Sequence, residues 1–342
     1  MCHCLFVILS EGKIAMLKYI LKRILLAIPI FLGVTFLVYI LSSLTPGSPI
    51  DIMIQSGNLT EEAYEALKQS LGLDKPIIVR YFIWLGDFFR GNLGISSASS
   101  QAVARIIAQR IQPTLILALS SLLLSLVIGI PLGILSAYKP YSFWDTISSG
   151  ISFLGTSTPN FLISLLFIYL FSVTLGVLPS QGMYSVNKEH TIVNLLLHLI
   201  LPAFVVALHL VGNFIKQTRS SMLEVLNEEY IKTARAKGIA KRKVIIDHVL
   251  RNAWIPIVTA IGMSIPYLIG GTVVVEQIFS WPGLGSLMIS SINSRDYNII
   301  MGITVIICVA VLVTNILMDI IYALLDPRIA TGLQKKTSEQ AG

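Results

Sequence analysis

The sequence predicts an all-α polytopic membrane protein with about six transmembrane helices. Three observations carry that prediction. The 342 residues are 54% hydrophobic and 13% charged, with a mean hydropathy of +0.78, where soluble domains carry about 25% charged residues. Segments 19–43, 114–138, 146–175, 193–215, 253–277 and 299–325 each reach the roughly 20 mostly apolar residues a bilayer-spanning helix needs. The basic residues are placed asymmetrically. Lys18, Lys22 and Arg23 precede the first span, Lys139 follows the second, Lys216, Arg219, Lys232, Arg235, Lys237, Lys241, Arg242, Lys243 and Arg251 lie between the fourth and fifth, and Arg328, Lys335 and Lys336 follow the sixth. All of these fall on one side if both termini are cytoplasmic, as the positive-inside rule requires; Lys68, Lys75, Arg80, Arg90, Arg105 and Arg110 fall on the other, in a long segment where charge counts for less. That rule also accounts for the net charge of +7 without invoking nucleic acid.

In chain order, residues 1–18 form an N-terminal cytoplasmic segment. Met16 opens a natural membrane-protein start, so 1–15 reads as a start-site extension. Cys2-His3-Cys4 resembles a metal fragment, but two thiols and one imidazole fall short of a four-ligand site. Residues 24–44 are too long for a signal-peptide core and read as a retained span. Residues 44–113 form an extracytoplasmic segment with amphipathic helices. Thr60 caps a short helix that runs to Leu71 and stops at Gly72. Tyr81 to Phe89 (YFIWLGDFF) has the composition of a headgroup-level helix, and 102–112 lead into span two.

The core, 114–328, holds the remaining spans. After the turn 139–145 (KPYSFWD), span three contains GTSTPNF, in which Pro159 is expected to kink the helix. Thr156, Ser157, Thr158 and Asn160 are pathway candidates, helix–helix packing through small residues being the competing reading. His198 and His209 in span four share a helical face, three turns apart, and read as bundle-interior polar groups rather than one metal site. After span five, Glu276, Trp281, Pro282, Gly283 and Gly285 belong to an aromatic outer turn with a fixed backbone shape. In span six, Asn315, Asp319, Tyr322 and Asp326 lie on one face. An intramembrane carboxylate is a functional-site hypothesis by default, so Asp319 joins the pathway candidates, with anchoring of neighbouring helices or of the Arg328 region as the competing role. Residues 329–342 read as a disordered cytoplasmic tail.

Glu228 to Pro256 is a charged island between apolar segments. Helix formers run to Lys237, Gly238 interrupts, and a basic helix resumes over 240–252. The pattern describes a compact knob at a membrane surface, a socket element for a soluble partner. No GxxxxGK[ST] loop, HExxH, paired CxxC or GxSxG motif occurs, which argues against an ATPase or hydrolase site in this chain.

Taken together, LKRILLAIPIFLGVTFLVYIL at Leu21, LGLDKPIIVRYFIWLGDFFRGNLG at Leu71, RIQPTLILALSSLLLSLVIGIPLGILSA at Arg110, TPNFLISLLFIYLFSVTLGVLPSQG at Thr158, EEYIKTARAKG at Glu228, LRNAWIPIVT at Leu250, EQIFSWPGLG at Glu276 and DPRI at Asp326 resemble the permease subunit of bacterial ABC importers for dipeptides and oligopeptides. The resemblance implies a type I ABC importer permease fold in the bacterial inner membrane. It also implies several partners: a second homologous permease, two cytoplasmic ATPases that bind ATP and magnesium, and an extracytoplasmic substrate-binding protein. It implies no cofactor in this chain. It places the ATPase-coupling loop at about 222–252, with Glu229, Tyr230, Thr233, Ala234, Arg235, Ala236, Lys237 and Gly238 as its motif. Small residues there are expected to allow close approach of the partner. Lys232 stands where the general motif has glutamate. Nickel and glutathione importers use similar permeases. An ion-coupled transporter, the alternative from another class, would carry several buried carboxylates or a strong internal repeat, and a membrane-embedded enzyme would need a nucleophile or metal constellation.

Overall fold

The computed structural model describes residues 2–44, 74–186 and 189–325. The helix predicted from Thr60 to Leu71 and the tail 329–342 lie outside the described residues, as do Asp326 and Arg328, and so do the side chains of residues 2–19 and of Tyr322. The fold is built from helices: α1 (Cys2–Leu44), α2 (Ile77–Phe89), α3 (Val103–Tyr138), α4 (Phe143–Ser157), α5 (Asn160–Phe167, continued by a π-helical turn Ile168–Thr174), α6 (Ile192–Leu226), α7 (Glu229–Ala236), α8 (Lys241–Lys243, continued by a π-helical turn Val244–Leu250), α9 (Arg251–Gly271), α10 (Val273–Ile278), α11 (Leu284–Asn293) and α12 (Tyr297–Leu325). Among the described residues five segments are long and apolar enough to cross a membrane: Ile20–Leu44, Val103–Tyr138, Ile192–Leu226, Val244–Ile278 and Tyr297–Ile321. The α4–α5 pair makes a sixth if it is one span.

That pair departs from the sequence expectation. Segment 146–175 is two helices inclined by 106° rather than one kinked helix. Thr158 precedes a proline, which pushes it into the extended region. Thr158 (ψ 128°) and Pro159 (ψ 136°) are both extended, so Pro159 caps α5 instead of bending α4.

In lipid, apolar side chains gain little by leaving the solvent, so helices pair through close packing and hydrogen bonds. In α3, Ser121, Ser125, Gly129, Gly133 and Ala137 recur every fourth residue and are buried. This smooth stripe lies against α6. A methyl group at Gly133 would sit 2.6 Å from Thr218 Cβ. α4 meets α6 as closely. A methyl group at Gly155 would overlap the Leu208 carbonyl oxygen, and Ser152 Oγ donates to the Gly212 carbonyl at 2.7 Å. The central apolar cluster gathers Leu201, Val205, Leu210 and Phe214 of α6 with Ile163 of α5, Leu268 of α9 and Val275 of α10.

α1 stands at the side of this bundle. The aromatic helix α2 packs on it through Tyr81 and Leu85. Tyr81 Oη hydrogen-bonds Thr35 Oγ1 at 3.0 Å and donates to the Leu32 carbonyl at 3.2 Å, while Tyr39 and Trp84 pack round it. Phe82 and Phe89 point outward. Three of the five aromatics, Tyr81, Trp84 and Phe88, therefore make helix–helix contact, and Phe82 and Phe89 are free to face headgroups.

Candidate functional site

At the end of the bundle that carries the basic residues, the island predicted as a knob is a short helix, a glycine and a second helical segment. α7 spans Glu229–Ala236, Gly238 has φ +75°, and residues 241–250 are helical again. Only Gly adopts that φ without a Cβ penalty. A Cβ placed on Gly238 would meet nothing within 4 Å among the described residues, so within the subunit its requirement is conformational. α7 is amphipathic. Ile231 is fully buried and Ala234 half-buried in a cluster with Ala137 of α3, Met222 of α6, Val244, Val249 and Ala253. Glu229, Tyr230, Lys232, Thr233, Arg235, Ala236, Lys237 and Gly238 are exposed. Lys232 pairs with Glu229 at 2.7 Å, both well solvated, which contributes at most a few tenths of a kcal/mol. Tyr230 Oη accepts from Asn252 Nδ2 at 3.0 Å and ties the knob to α9. The island is thus seated on α3 and α6 by one face and presents the other.

Next to it, sequence reasoning missed a tie of three helices. Asp145 at the start of α4 is nearly buried. Its two oxygens accept from Arg219 Nε (2.9 Å) and Nη2 (3.1 Å) of α6, from Tyr141 N (2.7 Å), and from the Ser136 hydroxyl of α3. A bidentate, charge-assisted pair of this kind fixes orientation as well as distance. The available signal was Ser142-x-x-Asp145, a capping-box spacing; Ser142 Oγ accepts from Asp145 N at 3.4 Å.

Between α6 and α9 lies an open groove of about 790 Å³, lined among others by His209, Asn213, Lys216, Gln217, Thr259 and Tyr267. Two of the predicted pathway residues are brought to it. Asn160 Nδ2 donates to Tyr267 Oη at 3.0 Å, and the Tyr267 ring stacks on His209 with centroids 4.7 Å apart. Thr156 Oγ1 donates to the Ser152 carbonyl at 2.8 Å and accepts from Lys216 Nζ at 3.1 Å. Ser157 and Thr158 lie at the α4–α5 break with no side-chain hydrogen bond to the groove residues. His198 stays inside the bundle, its Nδ1 within 2.8 Å of the Asn194 carbonyl. Lys216, counted in the sequence as a loop charge, lies on α6 well before its end at Leu226.

Asp319 is not at the groove. Arg23 Nε of α1 lies 2.9 Å from its Oδ2, so it staples α1 to α12. The partner is Arg23 of the neighbouring helix, the contact that the anchoring reading calls for.

At the opposite end the outer turn is organised by a buried carboxylate. Glu276 Oε1 accepts from Thr114 Oγ1 (2.8 Å) and Thr272 Oγ1 (3.4 Å), and Oε2 from the backbone N–H groups of Gly285 (2.7 Å) and Ser286 (3.0 Å). The acceptor sits at the first turn of α11, where orphan N–H groups and the helix dipole favour negative charge. Any side chain at Gly283 would overlap the Glu276 carboxylate. Trp281 is fully buried and donates from Nε1 to the Pro113 carbonyl at 2.9 Å, and Pro282 follows it within the same turn. Thr114 also accepts from Leu284 N at 2.8 Å, so the turn locks α3, α10 and α11 together. Nearby, Asp296 is buried and accepts from Ser96 Oγ at 2.5 Å and Ala98 N at 3.2 Å, holding the 94–102 loop on the start of α12.

Residues 129–331 match the family described as binding-protein-dependent transport system inner membrane component, and residues 16–118 match the N-terminal region described for such membrane components. The oligopeptide transport system permease protein AppB of Bacillus subtilis (strain 168) is 44% identical over 315 residues, covering 92% of this chain and 99% of that protein. A permease protein of Brucella suis biovar 1 (strain 1330) is likewise 44% identical over 92% of this chain and 99% of its own. Among solved structures, a chain of the MetNI methionine ABC transporter in an inward-facing conformation aligns with a TM-score of 0.52 at 17% identity. It covers 65% of this chain and 97% of that chain, a likeness of fold.

Proposed function

The chain belongs to the family of binding-protein-dependent transport system inner membrane components, and from that premise we propose that it is the permease subunit of an ATP-driven importer of di- and oligopeptides. The observation that carries the reading is the seating of α7. An amphipathic helix of eight residues is fixed to α3, α6 and the 244–250 turn by Ile231 and Ala234, with its remaining face open. A partner that pushes on the open face displaces the helices that frame the groove. Two ATPase subunits supply that push when they close on ATP and magnesium, which they bind and this chain does not. The absence of any phosphate-binding loop in the sequence is in keeping with that division of labour.

The groove between α6 and α9 is this subunit's share of a pathway completed by a second, homologous permease. A substrate-binding protein delivers cargo at the end organised by Glu276. Both termini lie in the cytoplasm, on the side of α7, in accord with the basic residues there. Peptide as cargo is supported by the 44% identity, across 92% of the chain, to a permease named for oligopeptide transport.

The test is purification of the tagged chain from gently solubilised membranes, followed by reconstitution with whatever accompanies it. Recovery with a second permease and one or two ATPases, and peptide uptake that requires ATP, is the expected result. Recovery alone, with uptake driven by an ion gradient in ATP-free vesicles, overturns the importer reading.

A further inference from the structure

We propose that Lys216 is the groove's recognition group for a carboxylate of the cargo; the assignment rests on the peptide reading above. A cation within a membrane-spanning segment is costly, and a lysine near the end of such a segment ordinarily turns its ammonium to the nearer interface. Lys216 does the reverse. α4 and α6 run antiparallel, with Gly212 packed on Ser152. Lys216 lies one turn from Gly212 toward the basic end, and Thr156 lies one turn beyond Ser152 toward the other. Thr156 also borders Gly212, so the 3.1 Å bond from Nζ to Thr156 Oγ1 turns the charge back to the level of that contact, away from the basic end.

The neighbouring cation shows the contrast. Arg219, one turn on, is taken up by Asp145. Lys216 has no carboxylate within 4 Å among the described residues, and Thr156, whose own proton goes to the Ser152 carbonyl, offers a neutral acceptor that occupies one of its three donors. The groove wall it shares with α9 contains neutral hydrogen-bonding side chains, His209 and apolar residues, and no Asp or Glu, while the adjoining cavity between α4 and α6, which Lys216 also lines, holds Arg219 and Glu224. On the groove side, an ammonium with two donors left over beside neutral hydrogen-bonding groups is complementary to a carboxylate and unfavourable to a second cation.

The experiment uses the complex purified with its partners, reconstituted with its binding protein and internal ATP. Transport of a short alanine peptide with a free C-terminal carboxylate is compared with that of the same peptide as its C-terminal amide, for wild type, Lys216→Gln and Lys216→Arg. Lys216→Gln is expected to lower uptake of the free acid about tenfold or more and of the amide less than about twofold, and Lys216→Arg to retain at least about half of the free-acid rate. Equal loss for both peptides, as when Lys216 pairs with an acidic residue of the second permease, or no loss for either, overturns the assignment and leaves the peptide reading standing. A wild-type complex that moves neither peptide overturns both.

Discussion

Glu276→Gln and Glu276→Ala separate hydrogen bonding from mere filling of space in the outer turn. The carboxylate accepts two hydroxyls on one oxygen and two backbone N–H groups on the other, and it is fully buried. In Glu276→Gln the amide oxygen keeps the Gly285 and Ser286 N–H groups. The amide nitrogen then faces the Thr114 hydroxyl. That oxygen already accepts from Leu284 N, so the hydroxyl proton loses its acceptor, at a cost of about 1–3 kcal/mol. In Glu276→Ala two buried N–H groups and two hydroxyls lose partners together and a cavity opens beside Trp281, which raises the cost to roughly 4–8 kcal/mol. A thermal ramp of the purified complex in detergent, followed by the monodisperse fraction and by indole emission, should rank wild type above Glu276→Gln by a few degrees. Glu276→Ala should be far below or not recovered. Equal damage from Gln and Ala would mean that the negative charge, rather than the hydrogen-bond count, holds the turn. No change in either variant would dismiss the lock altogether.

Four further outcomes are expected. Gly238→Pro cannot hold φ +75° and deletes the N–H that donates to the Arg235 carbonyl; it and Ala236→Glu on the open face should abolish uptake with the protein still inserted at normal abundance. Gly238→Ala, costing about 1 kcal/mol of backbone strain with no clash in this chain, should reduce uptake only modestly unless a partner packs on it, and uptake and membrane abundance read both. Asp145→Asn should cost about 3 kcal/mol by leaving the Arg219 guanidinium half-paired at a mostly buried site, seen as a lower melting temperature, while Asp319→Asn, whose Arg23 partner is substantially exposed, should cost about 1 kcal/mol or less by the same measurement. Gly155→Val, which drives a branched side chain into the Leu208 carbonyl, should separate α4 from α6 and abolish assembly, scored by co-purification of the partners.

Much of this protein is written in short windows of its sequence. Hydropathy over about twenty residues located the five long spans, because lipid imposes length and apolarity on each helix independently of its neighbours. The alternation of Ala and Gly with charges over 228–238 located α7, because helix propensity and a glycine stop act within one or two turns. The order of family motifs gave the kind of protein. Other features needed residues far apart in the chain to meet. The bend at Thr158-Pro159 was legible as a disturbance but not as 106°, since the helices flanking it choose the angle through Gly155 against Leu208 and Ile163 against the α6 cluster. Glu276 read as part of an outer motif, yet its partner Thr114 is 162 residues away. Asp145 is only the last residue of the 139–145 turn and Arg219 one of the basic residues between spans four and five until helix packing sets them together. Lys216 was a loop charge in the sequence and a groove charge in the fold. Local pattern fixes which segments enter the membrane, because each must satisfy its own backbone there; the register of one helix against another is set by small residues and buried polar pairs that no single segment contains.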